Sequence, residues 1–552
     1  MADVLDMSRH VAGSHELFAA CLCSDYGTPP VSHGRASQIL LVIEDFQPMF
    51  ANYARKIGSR RLTILAVDRS IFERDVDRGM LGEALADRLM LPYESLLNER
   101  YFRRQEITLK KRLSLELLQS LVLDFPELSY EFYIRPEYFM YETLAARARL
   151  FPPLSYSFRS LVGQDKGIHQ TLDGYLQALK TLEEEGIVVS SQGYFRISKN
   201  FIDKERVHKL RFASLFKAGQ RTLFAALLGT LPQMMDFMSA DRKSLLTLQR
   251  VFSERVKTVL QIEDPRNYVF VKTATGLVSL ANRVNIGDFV RRIFFVGNVS
   301  QPRVERIGGV LNDVYVVTVK VGNGEKKIVV KRFRDWSSFK WFPLTLWSLG
   351  TKSFAVLARS RLEKECSINW LLRSKGFAVP EILYVSPNER LIFMQYISGE
   401  NVGNLMRKII DSESGSQLDT GLQLIEKVGK LFSQVHLAGV ALGDAKPENI
   451  LVDQEQQLYL TDLEQATRNG DKTWDIAEFL YYAGHGFSPF TDSHRIELMA
   501  KAFIKGYLQA GGNVKTVRNA GNSKYTKVFS IFTFPHIMRI LSYTCKKADG
   551  FS

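Results

Sequence analysis

The stretch Leu442-Gly443-Asp444-Ala445-Lys446-Pro447-Glu448-Asn449-Ile450-Leu451-Val452 is followed by Gln457-Leu458-Tyr459-Leu460-Thr461-Asp462-Leu463-Glu464. The second segment is a short apolar run bounded by polar residues, which reads as a strand ending in an acid. Before it lies a polar loop carrying Asp444, Lys446 and Asn449. Asn449 stands five residues after Asp444, and Asp462 thirteen residues after Asn449. Reading outward from this spacing organises the last 250 or so residues of a 552-residue chain.

Upstream, Arg306-Ile307-Gly308-Gly309-Val310-Leu311-Asn312-Asp313 is a turn leading into the alternating strand Val314 to Val321. Asn323-Gly324, a pair suited to a two-residue hairpin loop, returns the chain as the strand Lys327 to Phe333, which holds Lys331. Ser360 to Ser374 reads as a helix with two acids, Glu363 and Glu365, either of which can pair with Lys331. Then come Gly376-Phe377-Ala378-Val379-Pro380, a strand, the segment Arg390 to Gly399 with Met394, Gln395, Tyr396 and Ile397 near its end, and a helix ending at His436.

Five elements in this order resemble a protein-kinase-like domain. The resemblance implies a glycine-bearing hairpin, Gly308 and Gly309, laid over the phosphates of ATP, with Lys331 reaching the α and β phosphates. It implies a hinge at Met394, Gln395, Tyr396 and Ile397 whose backbone holds adenine. Asp444 would orient the attacking hydroxyl and accept its proton, Lys446 would stabilise the transferring phosphoryl group, and Asn449 and Asp462 would hold Mg²⁺. The cofactors implied are ATP and Mg²⁺.

The departures narrow the branch. Leu442-Gly443-Asp444 stands where His-Arg-Asp is usual, and Asp462-Leu463-Glu464 where Asp-Phe-Gly is usual. Asp475, in Trp474-Asp475-Ile476-Ala477, lies only thirteen residues after Asp462, which leaves no room for a full activation segment. The region from about 300 to 490 is similar to the small atypical kinases, namely the RIO kinases and the kinase subunit of the KEOPS complex. In that group the helix glutamate lies about eleven residues before the glycine of a G-x-x-V-P segment, and Gly376 is eleven after Glu365, so Glu365 is preferred over Glu363.

The rest of the chain speaks more softly. Ser37 to Asp45 and Leu62 to Val67 read as strands and Met80 to Met90 as a helix, making a small α/β unit. Gly34-Arg35-Ala36-Ser37-Gln38-Ile39-Leu40 resembles the metal-holding segment of minimal nucleotidyltransferases, but Gln38 and Leu40 replace both metal-binding aspartates, implying a degenerate site. Leu172 to Glu185 reads as a helix, followed by a hairpin turning at Ser191-Gln192-Gly193, the order in which a winged helix ends. Glu183, Glu184 and Glu185 at that helix's end favour protein contact or internal packing over DNA.

Net charge is 73 − 59 = +14, and residues 201–300, with 16 Lys/Arg and 8 Asp/Glu, hold +8 of it. That stretch has no interleaved run of exposed aromatics of the kind that stacks bases, so nucleic-acid contact is allowed but not indicated. The insertion Trp336 to Thr351 holds three of the five tryptophans and is expected to pack on the N-terminal domains or to present a surface to a protein partner. Four cysteines suit a reducing compartment, and Cys21-Leu22-Cys23 lacks a zinc-type spacing. No apolar run reaches membrane-span length; Thr222 to Met235, at 14 residues, is the longest, and no leader pattern opens the chain, so a cytoplasmic protein is expected.

The expected architecture is α+β and multidomain. A small α/β domain covers 1–110, a winged-helix-like region 111–205, a basic helical connector 206–298 and a bilobal kinase-like domain 299–552. The expected activity is that of an atypical serine/threonine kinase acting on a protein substrate. The alternatives are an aminoglycoside-kinase-like enzyme acting on a small molecule, and a regulatory ATPase or scaffold.

Overall fold

A computed structural model of the chain describes residues 2–23, 37–47, 49–57, 60–150, 165–207, 263–294, 302–308, 312–321, 324–335, 355, 357–411, 415–530 and 533–551. Outside them lie Gly34 to Ala36, Thr222 to Met235, the connector cations Lys209, Arg211, Arg242, Lys243, Arg250, Arg255 and Lys257, Gly309, and the aromatic insertion 336–351. The protein is mixed α and β, with several sheets. It divides into two compact units, Met1–Val271 with Ser279–Ala281, and Lys272–Val278 with Asn282–Ser552.

The first unit opens with α1 (Ala2–Ala12), β1 (Leu17–Cys23), β2 (Ser37–Ile43), β3 (Phe50–Ile57), β4 (Arg60–Asp68), α2 (Arg69–Arg78) and β5 (Tyr93–Leu97). The sheet runs β3-β4-β2-β1-β5, with β2 parallel to β4. Ile39 to Ile43 are all fully buried because both faces of β2 are covered. Leu40 and Val42 join Phe72 and Phe102 on one side, while Ile39, Leu41 and Ile43 join Ala12 of α1 on the other. Two-sided burial is why this strand reads as an unbroken apolar run. Cys21 and Cys23 sit buried on β1 as free thiols. Gln38 accepts a hydrogen bond from Arg88 Nε at 3.1 Å, and Leu40 is core.

The helix expected over Met80 to Met90 is not formed. The helix is α2, which ends at Arg78, before that stretch begins, stopped by Gly79 in the left-handed conformation (φ 61°). Beyond it the chain wraps the buried Asp75 carboxylate, which accepts from the backbone N–H groups of Leu81, Glu83, Leu85 and Ala86. Four amides committed to a side chain cannot pair along a helix, and only a short 3₁₀ turn, Ala86–Met90, follows.

Next come α3 (Glu99–Asp124), β6 (Phe132–Ile134), α4 (Pro136–Leu150), α5 (Asp165–Glu184), β7 (Val188–Ser191), β8 (Tyr194–Ile197) and α6 (Lys199–Val207), then β9 (Val269–Thr273) and β10 (Gly276–Ser279). The acidic end of α5 serves the hairpin after it: Glu183 Oε1 accepts from Ser190 N at 2.7 Å and Ser190 Oγ at 2.6 Å. Arg206 on α6 pairs with Glu127 at 2.7 Å. Among the described residues no helix is long and apolar enough to cross a membrane.

In the second unit, α7 (Ile286–Phe294) precedes β11 (Arg303–Gly308), β12 (Asn312–Val321), β13 (Gly324–Phe333), α8 (Ala358–Ser374), β14 (Ile382–Ser386) and β15 (Leu391–Gln395). The antiparallel sheet runs β11-β12-β13-β15-β14. Val321 pairs with Gly324, so Gly324 is a strand residue and the connection is 322–323, one place earlier than the expected Asn323-Gly324 turn. Lys331 pairs with Ile392 and Val330 with Phe393, which puts Lys331 and Phe393 on opposite faces. Phe289 of α7 stacks on Phe393 with ring centres 3.9 Å apart, and Ala274 N donates to Ile382 O, so residues before 299 also contact this sheet.

Then follow β16 (Gly399–Asn401), α9 (Val402–Asp411), α10 (Gly415–Leu437), β17 (Val440–Ala441), β18 (Ile450–Asp453), β19 (Leu458–Leu460), β20 (Thr467–Arg468), α11 (Lys472–His485), α12 (Ser493–Gln509), α13 (Val514–Ala520), α14 (Ser523–Phe529) and α15 (Pro535–Lys546). Phe432, Phe479 and Phe503 meet in the core of this helical half, from α10, α11 and α12.

Helices α10 and α12 touch backbone to backbone. A Cβ on Gly429 would fall 2.1 Å from Phe503 O, and one on Gly506 2.0 Å from Glu426 O. Neither carbonyl can yield without unwinding its helix. Gly506→Ala is therefore expected to destabilise the unit by about 3 kcal/mol or more. Gly415→Ala, where nothing lies within 4 Å, should change stability by less than about 1 kcal/mol. Urea titration followed by hydrogen exchange of α10 compares the two.

Candidate active site

Lys331 stands near the end of β13 because that strand, apolar at Ile328 and Val330, runs through the sheet's middle. Its ammonium is buried and reaches Glu365 Oε2 at 3.0 Å, Asp462 Oδ1 at 2.5 Å and Glu464 Oε2 at 3.0 Å. Of the two acids on α8, Glu365 is the one at Lys331; Glu363 pairs with Arg359 at 3.3 Å. Burial works against the charge on Lys331, yet the three carboxylates hold its pKa well above the ordinary lysine value. Burial pushes the Glu365 carboxyl up against the pull of Lys331. Asp462 loses to burial as well, but the Lys331 ammonium holds it below the usual carboxylate range.

The loop with Asp444 is fastened from below by α11. Asp475, fully buried in the helix's first turn, accepts from Leu442 N at 2.6 Å and Gly443 N at 2.7 Å. His436 Nε2 lies 3.0 Å from the same carboxylate, and its Nδ1 2.9 Å from Tyr507 Oη. Glu478, one turn further along, accepts from Ala445 N and Trp474 Nε1, both at 2.8 Å. Gly443 takes a left-handed φ of 75° that a side chain would resist. Asp444, left between these anchored amides, pairs with Lys446 at 2.7 Å. Burial lowers the Lys446 pKa less than Asp444 and Glu478 raise it, so it stays a cation.

Asn449 closes the arrangement. Its Nδ2 donates to Asp444 O at 2.9 Å, and its own carbonyl accepts Thr461 N and Thr461 Oγ1, each at 2.9 Å. Those bonds set the residue before Asp462, which adopts φ +58°, uncommon for a residue with a side chain. Asp444, Lys446, Asn449 and Asp462 line one pocket, with Leu442 and Thr461 among its walls. The Asp462 side chain keeps 37% of its surface exposed, so an oxygen remains available to a cation. Asn449 has its Nδ2 engaged, which leaves Oδ1 as its ligand atom.

Other expected residues lie elsewhere on the sheet. Gly308 ends β11 and pairs with Val314. Met394 is buried in β15, and Gln395 spends its backbone N–H on Glu381 O at 2.8 Å. Tyr396 and Ile397 follow the strand half-buried, with Lys327 Nζ 5.6 Å above the Tyr396 ring. Glu464, Asn312, Arg361 and Glu478 take part in the site without having been singled out. The signal for Glu478 was present, since it lies three residues after Asp475 and so shares its helix face.

The lipopolysaccharide kinase (Kdo/WaaP) family model matches residues 322–480. A probable serine/threonine-protein kinase BUD32 homolog of Archaeoglobus fulgidus is 27% identical over 161 residues, covering 29% of this chain and 72% of that protein. The KEOPS complex subunit Bud32 of Pyrococcus abyssi is 26% identical over 106 residues, 19% of this chain and 44% of that protein. All three are kinases or kinase-complex subunits by name, and the N-terminal unit lies outside the family match. Within its second unit, the chain is similar to atypical protein-kinase-like proteins.

Proposed function

We propose that the protein is an ATP- and Mg²⁺-dependent atypical serine/threonine kinase that phosphorylates a protein hydroxyl. The observation that carries this reading is a single pocket holding Asp444, Lys446, Asn449 and Asp462, with Asp462 in contact with Lys331 and, through it, with Glu365. When bound, Mg-ATP supplies the phosphoryl group and the charge neutralisation for its transfer. Lys331, fixed by Glu365, binds the α and β phosphates. Gly308 and Gly309 cover them, and Met394, Gln395, Tyr396 and Ile397 border the base. The Gln395 N–H is already used, so Tyr396 and Ile397 carry the backbone contacts to adenine. Asp462 and Asn449 Oδ1 are the metal ligands.

Asp444 orients the incoming hydroxyl and takes its proton. The backbone on either side of it is pinned by Asp475 and Glu478, so it meets the substrate without reorganisation. Lys446, 2.7 Å from Asp444, is placed to steady the transferring group and favours a protein substrate over a sugar. The lipopolysaccharide-kinase match favours a second reading, transfer to a small-molecule or sugar hydroxyl by the same residues. Partner proteins, as for a KEOPS subunit, and a cytoplasmic setting belong to the first reading.

With γ-labelled ATP in cell extract, label is expected on protein, and Asp444→Asn should lower the rate about 10²–10⁴-fold while Mg-ATP affinity changes little. Label confined to a small metabolite would support the second reading, and no Mg-ATP binding at all sinks both. A pH effect is also expected. On acidification Glu365, raised by burial, takes a proton before Asp462, which Lys331 keeps ionised. Mg-ATP affinity should therefore begin to fall above the ordinary glutamate pKa of about 4.3, and Glu365→Gln should bind weakly and flatten that dependence in titration calorimetry.

A further inference from the structure

Glu464 has no part in the roles above, yet its buried carboxylate touches three elements at once. Its Oε2 lies 3.0 Å from Lys331 Nζ and accepts Asn312 Nδ2 at 2.5 Å, while its Oε1 lies 3.1 Å from Arg361 Nη1. Arg361 is wholly buried on α8, one turn before Glu365, and its Nη1 also donates to Asn312 Oδ1 at 2.7 Å. Its Nη2 donates to the carbonyl of Arg334, just past β13. Asn312 opens β12. A guanidinium this deep is held by a charged partner or is very costly to bury. Fixing Arg361 also fixes the height and rotation of α8, and so the place of Glu365, four residues on.

Kinase domains that are switched on and off let this helix swing, and draw it in when a phosphate on the activation segment meets an arginine. The segment between Asp462 and Asp475 is short here, and the anion that meets the arginine is a side chain. We propose that Glu464 is a positioning residue that clamps Arg361 and Asn312, so that the Lys331–Glu365 pair is assembled permanently, without phosphorylation. The clamp rests on the reading of Lys331 and Glu365 as the nucleotide-binding pair.

The test compares full-length wild type, Glu464→Gln and Asn312→Ser, each treated with phosphatase. Hydrogen exchange of residues 358–374 is measured without nucleotide, and Mg-ATP binding is measured by calorimetry. Wild-type exchange and affinity should not respond to phosphatase. Glu464→Gln should speed exchange in α8 about tenfold or more, leave α10 and α12 protected, and weaken Mg-ATP about tenfold. Asn312→Ser should give the same pattern at smaller size. Unchanged α8 exchange in Glu464→Gln overturns the clamp. So does equal loosening of α10 and α12, which marks a merely structural role, or a wild-type α8 that loosens with phosphatase. A wild type that binds no Mg-ATP but shows the α8 difference between variants overturns the proposed function and leaves the clamp standing.

Discussion

A single buried carboxylate decides whether the loop carrying Asp444 has a shape. Asp475 is fully buried, and an anion in that position must be satisfied where it sits. Its place in the first turn of α11 brings the favourable end of the helix dipole, and two loop amides and an imidazole supply the hydrogen bonds. Glu478 repeats the device one turn on with Ala445 N. The amides of residues 442, 443 and 445 are thereby tied to one helix face. Asp444 falls in the gap, the one residue in that run whose position is set by its neighbours while its side chain turns to the pocket.

The same logic extends outward from the loop. Asn449 binds Asp444 O and holds Thr461 by two bonds to its carbonyl, so the left-handed turn at Asp462 is imposed by its neighbours. Asp462 then meets Lys331, which meets Glu365 on α8. Residues 130 or so apart in sequence are linked through short polar contacts whose outer members are backbone groups of regular elements. Geometry of this kind is stiff, because each side chain has lost its alternative partners.

The loop with Asp444 and Asn449, the strand lysine and the helix glutamate were legible in the sequence because each is a chemically distinctive residue at a fixed offset inside an apolar pattern. Glu464, Asn312 and Arg361 were not, because their meaning lies in a meeting of three elements that no local spacing encodes. The N-terminal unit failed differently. Met80 to Met90 has the periodicity of a helix, but Asp75 takes the amides that a helix there would need. Nothing in residues 80–90 themselves announces that competition. The β2 run was readable because burial on both faces leaves only apolar residues, whereas β1 and β3 carry Ala, Cys, Asn and charged residues that blur the signal.

Charge acquires a different meaning once the site is seen. The chain as a whole carries +14, yet around Lys331 three carboxylates, Glu365, Asp462 and Glu464, face two cations, Lys331 and Arg361. The cluster is short by one positive charge in a basic protein. A bare polyphosphate approaching Lys331 would meet that surplus head on at close range, where screening is weak. Asp462, the member of the cluster that stays partly exposed, would hold a divalent cation brought with the phosphates, and the cation's charge would offset the surplus there. The metal in the proposed reaction fits this local surplus of negative charge, and the long-range positive charge serves at most to gather anions toward the site.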